Sequence, residues 1–216
     1  MSDEFDYVPA LFTVLAGPPE GERTVDGWRV KRLGLVKGPA DAGTVYDPAG
    51  PEAAGFPARP DGTPVYLVSR ADRPEVPVAA VVHHGDTAPV RTQEWGESMM
   101  TSSGLAVFHA SADTRWIDPA VPVLRRAWAV LHARAAGGDD WLLDTFRAAL
   151  QDVRADTRDW PLDPVEGDFA EDWLLLPDEA GTGTLIGILI SPDGATTVEC
   201  LDADGNTVAM LLTCDG

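Results

Sequence analysis

Residues 184–212 read TLIGILISPDGATTVECLDADGNTVAMLL, three apolar runs parted by two turns that each carry an Asp-Gly pair. Asp-Gly between apolar runs is a strong hairpin signal, because these residues accept the positive φ that a tight hairpin turn requires. The spacing predicts strands over Thr184–Ile190, Thr196–Leu201 and Thr207–Leu212, folded as a three-stranded β-meander. In that register Cys200 falls opposite a residue near Val208 and not opposite Cys214, so both cysteines are expected as buried free thiols.

Upstream lies the segment RDWPLDPVEGDFAED, residues 158–172, whose two prolines and glycine argue against regular structure. It sets Trp160, Phe169 and Trp173 among Asp159, Asp163, Glu166, Asp168, Glu171 and Asp172. Aromatic rings supply contact area and carboxylates steer a basic partner onto it. The competing reading is a strap whose rings pack into the core while its acids keep the surface wet.

Further upstream, Asp118 can cap a helix that begins with Pro119, and Val121, Leu124, Trp128, Leu131 and Ala135 form one apolar stripe. Gly137-Gly138 ends it. A second helix capped by Asp139 carries Leu142, Phe146, Ala149, Leu150 and Val153 on one face. Together they predict a central αα-hairpin. The region before residue 117 is rich in Gly and Pro. It predicts antiparallel strands over Leu11–Leu15, Trp28–Val36, Val65–Ser69, Val76–His83 and Leu105–His109, with a long surface loop over Gly38–Pro64. The expected fold is therefore α+β: an antiparallel N-terminal sheet, the αα-hairpin and the C-terminal meander. It forms a single domain over 1–216, with 1–117 and 118–216 as the alternative subdomains.

The chain of 216 residues is long enough to bury a core without disulfides or metal. Its formal charge is −19. All 16 bases fall within residues 1–158, while residues 159–216 hold 13 acids and no Lys or Arg. Even scatter would put about four bases there. Such a surface repels nucleic acid and anionic membranes and attracts basic proteins. High-GC coding or a salty cytoplasm would produce the same balance with no partner involved. The start MSDEFDY lacks the basic and apolar pattern of a secretion signal, and no apolar run approaches the ~20 residues that span a bilayer. Two cysteines make no disulfide framework and lack zinc-site spacing. The cytoplasm is the expected compartment.

Several constellations bear on chemistry. His83, His84 and Asp86 stand at a strand end, where imidazoles and a carboxylate can hold a metal or move protons. Adjacent strand residues point to opposite faces, however, so the two histidines share a site only if the strand bends. Ser102-Ser103-Gly104 and His109 lack the Gly-x-Ser-x-Gly elbow, and Glu94, Glu97 and Asp113 show no diagnostic spacing. Gly181-Thr182-Gly183-Thr184 has no Lys beside it and reads as a turn. Asp202-Ala203-Asp204-Gly205-Asn206 resembles part of a calcium loop but lacks its terminal glutamate and flanking helices.

These observations favour a non-enzymatic module that neutralises, chaperones or scaffolds a basic protein partner. Its expected contacts are Trp160, Asp163, Glu166, Asp168, Glu171 and Asp172, and it needs no cofactor. Immunity and inhibitor proteins share this charge logic, without any sequence resemblance. The alternatives are a metal-dependent or His/Asp hydrolase centred on His83, His84 and Asp86, and an assembly component that forms homo-oligomers through the meander's edge.

Overall fold

The structure, a computed structural model, describes residues 6–17, 21–38, 41–46, 53–93, 97–99, 105–109, 173–177, 184–189 and 195–214. A helix, α1 (Val8–Leu15), is followed by the strands β1 (Glu22–Val25), β2 (Trp28–Val36), β3 (Ala42–Tyr46), β4 (Ala53–Pro57), β5 (Thr63–Arg70) and β6 (Arg73–His83). Then come β7 (Arg91–Thr92), β8 (Glu97–Met99), β9 (Leu105–His109), β10 (Trp173–Pro177), β11 (Thr184–Leu189), β12 (Ala195–Leu201) and β13 (Thr207–Cys214). They make two antiparallel sheets. Sheet A runs β1-β2-β5-β6-β13-β12-β7, with β8 also paired to β12, and sheet B runs β10-β11-β9-β3-β4.

This architecture corrects the α+β expectation. The described residues are mostly β, with thirteen strands and one helix, and no αα-hairpin contributes to the layers they form. The predicted hairpin over 118–153 lies outside the described residues, as does the alternative subdomain boundary near 117.

Sheet A is the middle layer. Its front face packs on sheet B through Leu33, Val36, Val65, Leu67, Ala80, Val82 and Leu212, which meet Val45, Phe56, Phe108, Ile186 and Ile188. Its back face packs on α1, whose Ala10, Leu11, Val14 and Leu15 meet Val30, Val68, Val81 and Leu211. Strands covered on both sides need apolar residues at every position and not only at alternate ones. Accordingly β5 is buried from Thr63 through Ser69. In β2 a bulge at Leu33 changes the face presented: Trp28 and Val30 point back, Leu33 and Val36 point forward. One extra residue is enough to move the following side chains across the sheet.

Three further expectations change. Leu11–Leu15, read as a strand, belongs to α1. Pro9 occupies the first turn, where its missing N–H costs nothing, and Leu11, Val14 and Leu15 share one face at steps of three and four. A five-residue apolar run cannot be told from a buried helix segment by pattern alone. The loop expected over Gly38–Pro64 contains β3 and β4, paired from Ala42↔Pro57 to Tyr46↔Ala53. Gly43 is required there, because a Cβ would sit 2.2 Å from the Phe56 ring that crosses it. Pro57 is tolerated because β4 ends the sheet.

The C-terminal meander also separates. β12 and β13 form the expected hairpin, and Cys200 lies opposite Ala209. The strand before them does not join it: β11 pairs with β9 and β10 in sheet B. No helix among the described residues is long and apolar enough to cross a membrane.

Candidate functional site

Strand β6 ends at His83, and the chain stays attached to β13 for two more residues. The amides of His84 and Gly85 both donate to the Val208 carbonyl, at 2.9 and 2.8 Å. Gly85 permits this approach, since a Cβ there would lie 2.5 Å from the Val208 Cβ. The alternation of the strand therefore continues through the pair. His83 faces the back of sheet A and His84 the front, and each lines its own cleft of about 360 Å³.

The back cleft lies beside the C-terminal end of α1 and is lined by Arg32, Arg59, Asp61, Tyr66, His83 and Asp86, among others. Arg59 organises it. Its guanidinium pairs with Asp86 at 3.0 Å and with Asp61 at 3.5 Å, and donates to the Gly85 carbonyl at 3.2 Å. Asp86 is paired with this arginine and shares the cleft with His83, whose charged form it favours. Burial raises the Tyr66 pKa, opposed by the nearby Arg32 and Arg59. Burial lowers that of His83, against a raising contribution from its bond to Thr87. His83 Nε2–H donates to the Thr87 carbonyl at 3.0 Å, which fixes the tautomer in the neutral ring.

Thr87 continues the connection. Its hydroxyl donates at 2.9 Å to Asp202, 115 residues away. The Asp202 carboxylate also accepts the amides of Asp204 and Asn206, at 3.0 and 2.8 Å, and the Asn206 side-chain amide at 3.3 Å. These bonds, the Asn206 amide foremost, hold the Asp202 pKa below the ordinary carboxylate range. The carboxylate that composition offered to calcium is thus occupied in closing the β12–β13 turn.

The front cleft opens between β4 of sheet B and the β6, β13 and β12 region of sheet A. Ala54, Gly55, Phe56 and Pro57 wall it, and His84, Gln93, Thr197, Glu199, Thr207 and Met210 line the rest. Glu199 Oε2 accepts the Gln93 side-chain amide and, at 3.2 Å, the Thr207 hydroxyl. His84 Nε2 is buried with no hydrogen-bond partner. Burial, with a smaller contribution from neighbouring His83, pushes the His84 pKa down to about 4. Among the described residues lining this cleft, Glu199 is the one Asp, Glu, Lys or Arg. Behind the same strand, Cys200 is a buried free thiol whose pKa burial pushes up to about 12, helped by Glu199, so it carries no nucleophile at neutral pH.

The structure thus parts the histidines that the sequence set side by side. Among the described residues no group of three His, Cys, Asp or Glu side chains could hold a metal ion. Of the aromatic and acidic residues in and beside segment 158–172, only Trp173 is described, as the first residue of β10 opposite Ile188. Trp160, Asp163, Glu166, Asp168, Glu171 and Asp172 lie outside the described residues, as do Ser102, Ser103, Glu94 and Asp113. Arg59, Gln93, Glu199 and Thr207 were not singled out from the sequence. Gln93 and Glu199 stand 106 residues apart, and no local spacing signals such a pairing. Compared with known proteins, the chain matches no family model, no curated protein and no solved structure.

Proposed function

We propose that this chain is a binding module for a basic protein partner, which it neutralises, chaperones or scaffolds in the cytoplasm. The observation that carries the reading is the partition of charge: residues 159–216 hold 13 acids and no Lys or Arg within a chain of net charge −19. A field of one sign raises the encounter rate with oppositely charged partners and excludes nucleic acid and anionic surfaces. The contacts proposed first are Trp160, Asp163, Glu166, Asp168, Glu171 and Asp172, where rings alternate with acids. The free Cys200 thiol fits a reducing compartment. For the hydrolase alternative, His83 and Asp86 share one cleft, with Asp86 paired to Arg59, while His84 opens into the other.

The test is capture of partners from native extract, washed at low and then high salt, with the captured protein identified by mass. The expected result is a stoichiometric basic protein released by salt. Changing Asp163, Glu166, Asp168 and Glu171 together to lysine should slow its association by about tenfold or more and flatten the salt dependence. Unchanged association by that variant, or a wild-type capture that holds no basic protein, overturns the proposal.

A further inference from the structure

The two clefts differ in whether their charges already have partners. In the back cleft Arg59 is satisfied by Asp61, Asp86 and the Gly85 carbonyl. The front cleft holds one carboxylate, Glu199, braced by Gln93 and Thr207 through a single oxygen. Among the described residues no Lys or Arg lines this cleft or pairs with Glu199. A carboxylate braced on one oxygen presents the other to an incoming donor. His84 lines the same cleft, its Nε2 buried in the wall without a hydrogen-bond partner. Burial keeps that ring neutral at pH 7, so it adds no opposing charge to the cleft.

We propose that the front cleft receives an arginine side chain of the basic partner, its guanidinium donating to Glu199. The inference rests on the reading of the chain as a module for a basic protein. The walls favour arginine over lysine: Phe56 and Met210 give the cleft an apolar lining that suits a weakly hydrated cation and its apolar stem. A volume of about 360 Å³ lies at the small end of ligand pockets, matched to one inserted side chain and not to a folded surface.

The probe is N-acetyl-argininamide, titrated into the isotope-labelled full chain at pH 7 and low salt. N-acetyl-citrullinamide serves as the uncharged isostere and N-acetyl-lysinamide as the other cation. Arginine should produce saturable shifts at the Gln93 side-chain amide and at the His84 and Thr207 backbone amides. Citrulline should bind at least tenfold more weakly. Glu199→Gln should lose the response by tenfold or more, whereas Arg59→Met, in the other cleft, should keep it. Absence of saturable shifts, an equal response to citrulline or lysine, or full binding by Glu199→Gln would overturn the assignment. In the partner capture, retention of the basic protein by Glu199→Gln at wild-type strength overturns this inference and leaves the parent reading standing. An empty wild-type capture overturns the parent reading and with it the partner as the arginine's source.

Discussion

The clefts on the two faces of sheet A have the same size, about 360 Å³, and adjacent histidines at their rims, yet opposite electrostatic states. Behind the sheet, two acids and an arginine answer one another. In front, a carboxylate is held by neutral donors and faces no cation among the described residues. Charge that is compensated internally does little beyond modest stabilisation, because exposed pairs contribute only about 0–1 kcal/mol. Charge oriented by neutral hydrogen bonds retains its capacity to bind. The capacity of each cleft to bind therefore follows from what its neighbours already satisfy.

The comparison depends on sheet A being covered on both faces, and this is where the largest effect is expected. Leu211 and Leu212 are adjacent, fully buried, and point to the back and the front respectively. Leu211→Ala and Leu212→Ala should each cost about 2–5 kcal/mol in urea denaturation, since each leaves a cavity in a packed layer. A near-neutral result for either one would show that face to be solvated and would remove the corresponding cleft.

A smaller effect concerns the front cleft alone. His84 takes up a proton only near pH 4 in the fold but near 6.5 when unfolded. Between those values the unfolded chain binds more protons, so stability is retained above pH 6.5 and falls as the pH drops towards 4. The full shift corresponds to about 3 kcal/mol. The ring is only part-buried, and solvent screening reduces the expected loss to about 1–2 kcal/mol. Denaturation of wild type and His84→Leu at pH 7 and pH 4.5 isolates this contribution: the wild type should lose more on acidification. Equal losses would mean that the imidazole is solvated. The smallest effect is expected at the back, where Arg59→Met should cost under about 1 kcal/mol at low salt and nearly nothing at high salt. A salt-independent loss of several kcal/mol would instead make Arg59 a structural tie for the loop after β6.

Much of the strand content was legible because its signals are local. Trp28–Val36 and Leu105–His109 emerged with the limits read from sequence, and the Asp-Gly turn placed β12 against β13. The short β1 went unread although Asp26-Gly27, at φ 50° and 83°, marks its hairpin with β2. Other errors have physical causes. Five apolar residues after Pro9 suit a helix or a strand equally, and coverage by a sheet selected the helix. The Gly and Pro of Gly38–Pro64 suggested a loop, but an edge strand accommodates Pro57 and a ring crossing requires Gly43.

By itself the sequence determined the one-sided charge, the C-terminal hairpin with Cys200 kept away from Cys214, and the divergence of His83 from His84. Each follows from composition or from backbone geometry within a few residues. Tertiary structure alone decided that β11 leaves the apparent meander for sheet B, and that Gln93 and Thr207 brace Glu199 beside His84. The reason is that a strand's pattern encodes which of its faces is buried, not which strand will lie beside it. Partners more than a hundred residues apart are chosen only when whole layers pack.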